Sequence, residues 1–180
     1  MSSKYPIILV HGIAAKQLRI LNAFGKIGDE LKKEGYTVYI SDNDGFGSIE
    51  NNAEQLKKFI EKVLKDTGAE KVNIIAHSKG GLDSKYMITK LGMEDKVASL
   101  TTLCTPHKGS IIASKIWDLP MPIKKILAFF IDMFYCLFLG DKQPDSMRAC
   151  EQLRAVDTSE DTLQFSYKVY CQSYSTGISE

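Results

Sequence analysis

The sequence predicts an α/β protein: a mostly parallel sheet with helices on both faces and a helical insertion late in the chain. Short β-branched runs alternate with amphipathic helical patterns. The runs are continuously apolar, as in strands buried on both faces. The stretches between them are long enough for the crossover helices that parallel neighbours need.

Each element follows in turn. Tyr5-Pro6-Ile7-Ile8-Leu9-Val10, bounded by Gly12, reads as a buried strand. Asn22 to Glu34 reads as a helix closed by Gly35, and Tyr36 to Ile40 as the next strand. A polar loop covers Ser41 to Ser48. Leu56, Phe59, Ile60, Val63 and Leu64 then fall on one helical face, and Gly68 stops that helix. Lys71 to Ala76 is a strand, Gly80 to Leu91 a helix ending at Gly92, and Val97 to Leu103 a strand. From Ile111 to Ala155 the pattern is helical and irregular, and Tyr167 to Tyr174 reads as one more strand. The expected organisation is a core of residues 1–110 and 160–180 with a helical cap at 111–159.

Composition narrows the function classes. The chain has 180 residues, 23 Lys plus Arg and 22 Asp plus Glu, a net charge of +1. That balance gives no electrostatic case for nucleic acid. An apolar fraction of 44% with 25% charged residues is ordinary globular composition. The four cysteines show neither a C-x-x-C pair nor metal-ligand spacing. No signal-peptide h-region opens the sequence, so a cytoplasmic location is expected, and secretion stays open.

The stretch that carries chemistry is Val72 to Gly81. A strand leads into Ala76-x-Ser78-x-Gly80 and a helix follows at once, the strand-turn-helix context of a nucleophile elbow. Such a serine sits on a strained turn with its Oγ clear of the sheet edge, and the turn accepts only small residues beside it. The helix start behind Ser78 offers the Lys79 N–H to an oxyanion. A second donor must come from a loop after an early strand, and His11-Gly12-Ile13 supplies it, with Ile13 N–H as the candidate.

Three segments together resemble bacterial triacylglycerol lipases of the α/β-hydrolase fold, closest to the Pseudomonas and Burkholderia type and its clostridial relatives. They are Tyr5 to Gly12, Ala76-His77-Ser78-Lys79-Gly80-Gly81-Leu82, and Ser99 to Ser110. The resemblance implies Ser78 as nucleophile, the N–H groups of Ile13 and Lys79 as oxyanion hole, and a lid or cap from Ile111 onward. It also implies a chain order of Ser, Asp, His, with acid and base beyond the cap. No Asp-Gly or Asp-His signature follows here, and the only histidines are His11, His77 and His107. The expectation is therefore a hydrolase fold lacking its last strands and a triad whose acid and base are missing. His11 and Gly12 are read as loop support, and His107 as the only internal alternative base. No cofactor and no metal are expected. The function read from this is a serine carboxylic-ester hydrolase acting on a hydrophobic ester or lipid. The alternative is a silent module of the same fold that binds a hydrophobic ligand in its cap groove.

Other features read as structural. Asp42-Asn43-Asp44-Gly45 has the look of a calcium loop, but its twelfth position is Ala53, so a solvated turn is expected. Asp118, Asp132, Asp141 and Asp145 have no metal-pair spacing. Ile126 to Leu139 contains Phe129, Phe130, Phe134, Tyr135 and Phe138. At ~200 Å² each these carry about 1,000 Å², more than a soluble monomer exposes in one patch. The expectation is a lid helix that buries more than one face and meets lipid, with Lys124 and Lys125 as an interfacial anchor. The last strand leaves an apolar edge open to self-association.

Overall fold

The computed structural model describes residues 5–13, 24–154 and 174–175. Five strands form one sheet: β1 (Ile7–Val10), β2 (Val38–Ile40), β3 (Val72–His77), β4 (Val97–Leu103) and β5 (Tyr174–Ser175). Their order is β2-β1-β3-β4-β5. The first four are parallel, and β5 runs antiparallel to β4 through Ser99–Ser175 and Leu100–Tyr174. The strand expected at Tyr167 to Tyr174 otherwise lies outside the described residues.

The strand order places the site. The chain leaves β1 for β2 on one side, then crosses to β3 on the other. That reversal opens a crevice beyond the carboxyl ends of β1 and β3, where open parallel sheets bind ligands. Ile8 pairs with Ile74 and Val10 with Ala76, so the two strands end side by side.

Period-two alternation divides the core between the two sheet faces. Ile8, Val10, Val72, Ile74, Ala76 and Leu100 pack with Leu56, Ile60 and Val63 of α2 (Ile49–Thr67) and Met87 of α3 (Lys79–Lys90). Ile7, Leu9 and Val38 pack on the other face with Phe24, and Leu31 of α1 (Ile27–Lys33) joins them. Helix α1 is shorter than the periodicity predicts. Gly25 takes a left-handed φ of 51° in the turn before it, so the helix starts only at Ile27. Helix α2 starts where the Ser48 side chain accepts the Asn51 N–H, and it stops at Gly68, whose φ is 68°.

After β4 come α4 (Ile111–Trp117), α5 (Met121–Leu139) and α6 (Ser146–Gln152). They are tied to the core by single β-bridges, Gly47 to Pro144 and Ser110 to Arg154. The Ser41 to Ser48 loop supplies more ties, and here the reading of a solvated turn is corrected. Asp44 is buried and accepts the backbone N–H groups of Lys142 (2.8 Å) and Gln143 (2.7 Å) and the Gln55 side chain (2.8 Å). Asp141, also buried, accepts the Phe46 N–H at 3.1 Å. These carboxylates replace hydration of the α5–α6 connection with fixed hydrogen bonds.

Helix α5 overturns a second expectation. It buries one face only, and that face is a stripe of Lys124, Ala128, Ile131, Asp132 and Tyr135 at helical spacing. Phe129, Phe130, Phe134 and Phe138 are 49% to 72% exposed. Lys125 is exposed, whereas Lys124, expected beside it as an interfacial anchor, is buried. Within the stripe Asp132 accepts the Ser146 N–H (2.9 Å) and Tyr135 stacks edge-on against Phe46 at 4.6 Å.

Candidate active site

Ser78 sits between β3 and α3 with φ 53° and ψ −128°, a conformation that costs a non-glycine residue about 1–3 kcal/mol. Its neighbours hold it there. Ser78 N donates to the Leu103 carbonyl at 2.8 Å, and the Ser78 carbonyl accepts Thr105 Oγ1–H at 2.8 Å and Gly81 N–H at 3.1 Å. The backbone is fully engaged while Oγ has no hydrogen-bond partner among the described residues.

Three glycines let the chain close around it. A Cβ on Gly12 would stand 2.6 Å from Ser78 Cβ, so the turn after β1 lies directly against the serine. A Cβ on Gly80 would stand 2.3 Å from the His11 carbonyl oxygen and 2.8 Å from that of Val10. A Cβ on Gly81 would stand 2.1 Å from Thr105 Oγ1. The elbow therefore needs Gly80 because α3 packs on the end of β1. That is a different reason from crowding against Ala76, although Ala76 is itself fully buried.

The candidate oxyanion donors flank this contact. Ile13 follows Gly12 and lines the same cavity as Ser78. Lys79 is the first residue of α3, so its N–H is one of the helix's free first-turn donors. His11 is buried and its Nδ1–H donates to the Gly12 carbonyl at 2.9 Å, which fits a prop for the turn.

Among the described residues neither of the other histidines is hydrogen-bonded to Ser78 Oγ. His77 follows Ile75 by two in β3, and burial lowers its pKa. His107 lines the cavity with Ser78, but its Nε2 meets Thr102 Oγ1 at 3.2 Å. Burial, and then the nearby Lys85 charge, lower its pKa. Among the described residues no group of three or more His, Cys, Asp or Glu side chains is placed to hold a metal.

Sequence reasoning missed one set of residues. The Lys79 side chain is buried and its ammonium donates to Asp83 Oδ1 at 2.8 Å. Asn52 Nδ2 donates to Asp83 Oδ2 (3.0 Å) and to the Asp44 carbonyl (2.9 Å). Burial pushes the Asp83 carboxyl up, against the pull of Lys79. The pair fixes the first turn of α3, and with it the Lys79 N–H. Its i, i+4 spacing on a helix that starts at the elbow was the available signal.

Above Ser78 lies a cavity of about 870 Å³, walled by Ile112 and Ile116 of α4, Leu127 and Ile131 of α5 and Met147 of α6. A mostly apolar cavity of this size takes a ligand with an alkyl chain.

Comparison with known proteins places the chain. Residues 5–122 match the family model described as alpha/beta hydrolase fold. The chain belongs to the α/β-hydrolase family. Within it, the chain is 34% identical over 169 residues to a triacylglycerol lipase of Pseudarthrobacter phenanthrenivorans, covering 88% of this chain and 52% of that one. A triacylglycerol lipase of Burkholderia plantarii is also 34% identical over 169 residues, at 88% and 46% coverage. This hydrolase-fold chain thus spans about half the length of the curated relatives it matches. Among solved structures, the mature form of the Bacillus licheniformis lipase BlEst2 superposes with a TM-score of 0.59 at 24% identity, covering 83% of this chain and 54% of that one. The metagenomic carboxyl esterase MGS0156 gives 0.63 at 16%, with coverages of 84% and 42%. Both show the shared fold.

Proposed function

We propose that this chain carries the nucleophile and oxyanion hole of a serine carboxylic-ester hydrolase that acts on esters with an apolar acyl chain. One observation carries the reading. A strained serine, whose Oγ has no hydrogen-bond partner among the described residues, lines a large apolar cavity, pressed against a glycine turn on one side and a helix start on the other. The names of the curated relatives, triacylglycerol lipases, agree with it.

In this mechanism Ser78 Oγ attacks the ester carbonyl and a proton acceptor takes its hydrogen. The Ile13 and Lys79 N–H groups stabilise the tetrahedral oxyanion, the alcohol leaves with a proton, and water releases the acid from the acyl-enzyme. Among the described residues no histidine is hydrogen-bonded to Ser78 Oγ; His11 and His107 are engaged by Gly12 and Thr102 instead. Oxyanion hole and binding alone give ~10³–10⁴ over the uncatalysed rate. The exposed aromatic face of α5 is the surface that meets lipid. Among the described residues no helix is long and apolar enough to cross a membrane.

The test is labelling with an alkyl fluorophosphonate, mapped by peptide mass spectrometry. The expected adduct is on Ser78, absent in Ser78→Ala, and formed faster when imidazole is added as an external base. The mostly apolar cavity also fits a second reading, a silent module that only holds a hydrophobic ligand. That reading predicts no adduct with or without imidazole. Fast labelling that is lost in His107→Ala makes His107 the base.

A further inference from the structure

One cation in the cavity wall is buried. Lys124, in the first turns of α5, is only 9% exposed and lines the same cavity as Ser78. Its Nζ donates to the Trp117 carbonyl at 2.5 Å and lies 4.3 Å from the Trp117 ring centroid. The Arg154 guanidinium approaches the same ring at 5.3 Å. None of the ion pairs among the described residues uses Lys124 or Arg154. Burial pushes the Cys150 thiol up, against the pull of the Lys124 and Arg154 charges, and Cys150 lines the cavity with Lys124.

A buried ammonium is costly unless an anion compensates it. Among the described residues one carbonyl and one ring face offset part of that cost and no carboxylate cancels the charge. The cavity wall is mostly apolar, with Ile112, Ile116, Leu127, Ile131 and Met147 in it, so the natural complement is an anion attached to a hydrocarbon. A purely structural lysine bridging α4 to α5 would make the same bond to Trp117 and show no preference for charge in a ligand.

We propose that the cavity corner at Lys124 and Trp117, with the exposed Arg154 over the same ring, binds the oxyanion, carboxylate or phosphate, of an amphiphile whose alkyl chain lies along the apolar wall. Coupled to the ester-hydrolase reading, on which this step rests, it makes the substrates esters with an anionic group remote from the scissile carbonyl. The binding itself does not depend on that reading.

Trp117 is the chain's single tryptophan, so its fluorescence reports the corner directly. The experiment titrates residues 1–180 with dodecanoate, dodecyl phosphate, inorganic phosphate, 1-dodecanol and dodecyltrimethylammonium, all below micelle formation. Dodecanoate or dodecyl phosphate should saturate the signal at least about tenfold more tightly than dodecanol or the cation, the size of one charge-assisted hydrogen bond. The tighter of the two anions names the head group. Lys124→Met should lose that tenfold for the anions and leave dodecanol unchanged, and Lys124→Arg should restore it. Equal binding of dodecanol and the anions overturns the proposal, as does an unchanged Lys124→Met. Inorganic phosphate binding as tightly as dodecyl phosphate overturns the amphiphile. If Lys124→Met does not fold, Arg154→Gln, at an exposed residue, should weaken the anions several-fold, and no weakening overturns the proposal. Anion binding that persists while Ser78 resists labelling leaves the corner standing and removes the ester-hydrolase reading.

Discussion

Replacing Gly80 by alanine tests the elbow through its closest packing. In an ordinary helix this change stabilises by about 0.5–1 kcal/mol. Here the new Cβ would meet the His11 carbonyl oxygen at 2.3 Å, where ordinary contact begins at 3.4 Å, a shortfall of roughly 1.1 Å. The Val10 carbonyl oxygen, at 2.8 Å, is also too close. Both are backbone atoms at the end of a central strand, so no side chain can rotate away. The first turn of α3 has to withdraw from β1, and the Lys79 N–H moves with it. Overpacking of this kind costs about 1–3 kcal/mol, and the rigid neighbours put Gly80→Ala near the top of that range. For a chain of this length that lowers Tm by about 5–10 °C. Gly92→Ala is the comparison. Its φ is 68° but nothing lies within 4 Å of the new Cβ, so it bears only backbone strain of about 1–2 kcal/mol. Thermal melts by circular dichroism, together with fluorophosphonate labelling of Ser78, read both effects. A Gly80→Ala protein that melts like wild type and labels at the wild-type rate would refute the reasoning.

Further outcomes follow from the same contacts. Lys79→Met alone or Asp83→Leu alone leaves one buried charge unpaired and should cost about 3–5 kcal/mol in urea unfolding, while the double substitution should recover most of it. Phe130→Asp and Phe134→Asp lie on exposed positions, so each should change stability by less than about 0.5 kcal/mol. Each should also weaken binding to phosphatidylcholine vesicles at least about tenfold in a flotation assay, the value of one buried phenyl ring. Unfolding by both substitutions would instead make α5 a core helix. Burial lowers the pKa values of His77 and His107 below 6.5, so the native state resists their protonation. Stability from these groups is complete above pH about 6.5 and is lost as pH falls through the native-state values. Urea melts from pH 7.5 to 5 should show that loss, and His107→Gln should reduce it.

Much of the fold was readable because local signals agreed with the global one. Gly68 ends α2 in a left-handed cap, the run Ile7 to Val10 is buried as its β-branched continuity requires, and β4 spans the residues its pattern assigned. The elbow was readable for the same reason, since Ala76, Ser78 and Gly80 stand between a strand and a helix start. What could not be read depends on residues far apart in sequence. Asp44 looks like a surface turn until Lys142 and Gln143 arrive to donate to it. Gly80 answers to the β1 carbonyls rather than to its own turn. Helix α5 reads as apolar all round, and only packing selects its narrow stripe of Lys124, Ala128 and Asp132 as the inward face. Its apolar residues then remain outside, against the usual preference of a soluble surface.

The central claim is that Ser78 is a nucleophile toward an ester carbonyl. Intact-mass and peptide mass spectrometry of residues 1–180, after incubation with a nitrophenyl butyrate ester and imidazole, tests it most directly. The account predicts one butyryl group per chain, on the peptide containing Ser78, and none on the Ser78→Ala protein. An acyl group on exposed Cys104 instead, or on no residue at all, would contradict it.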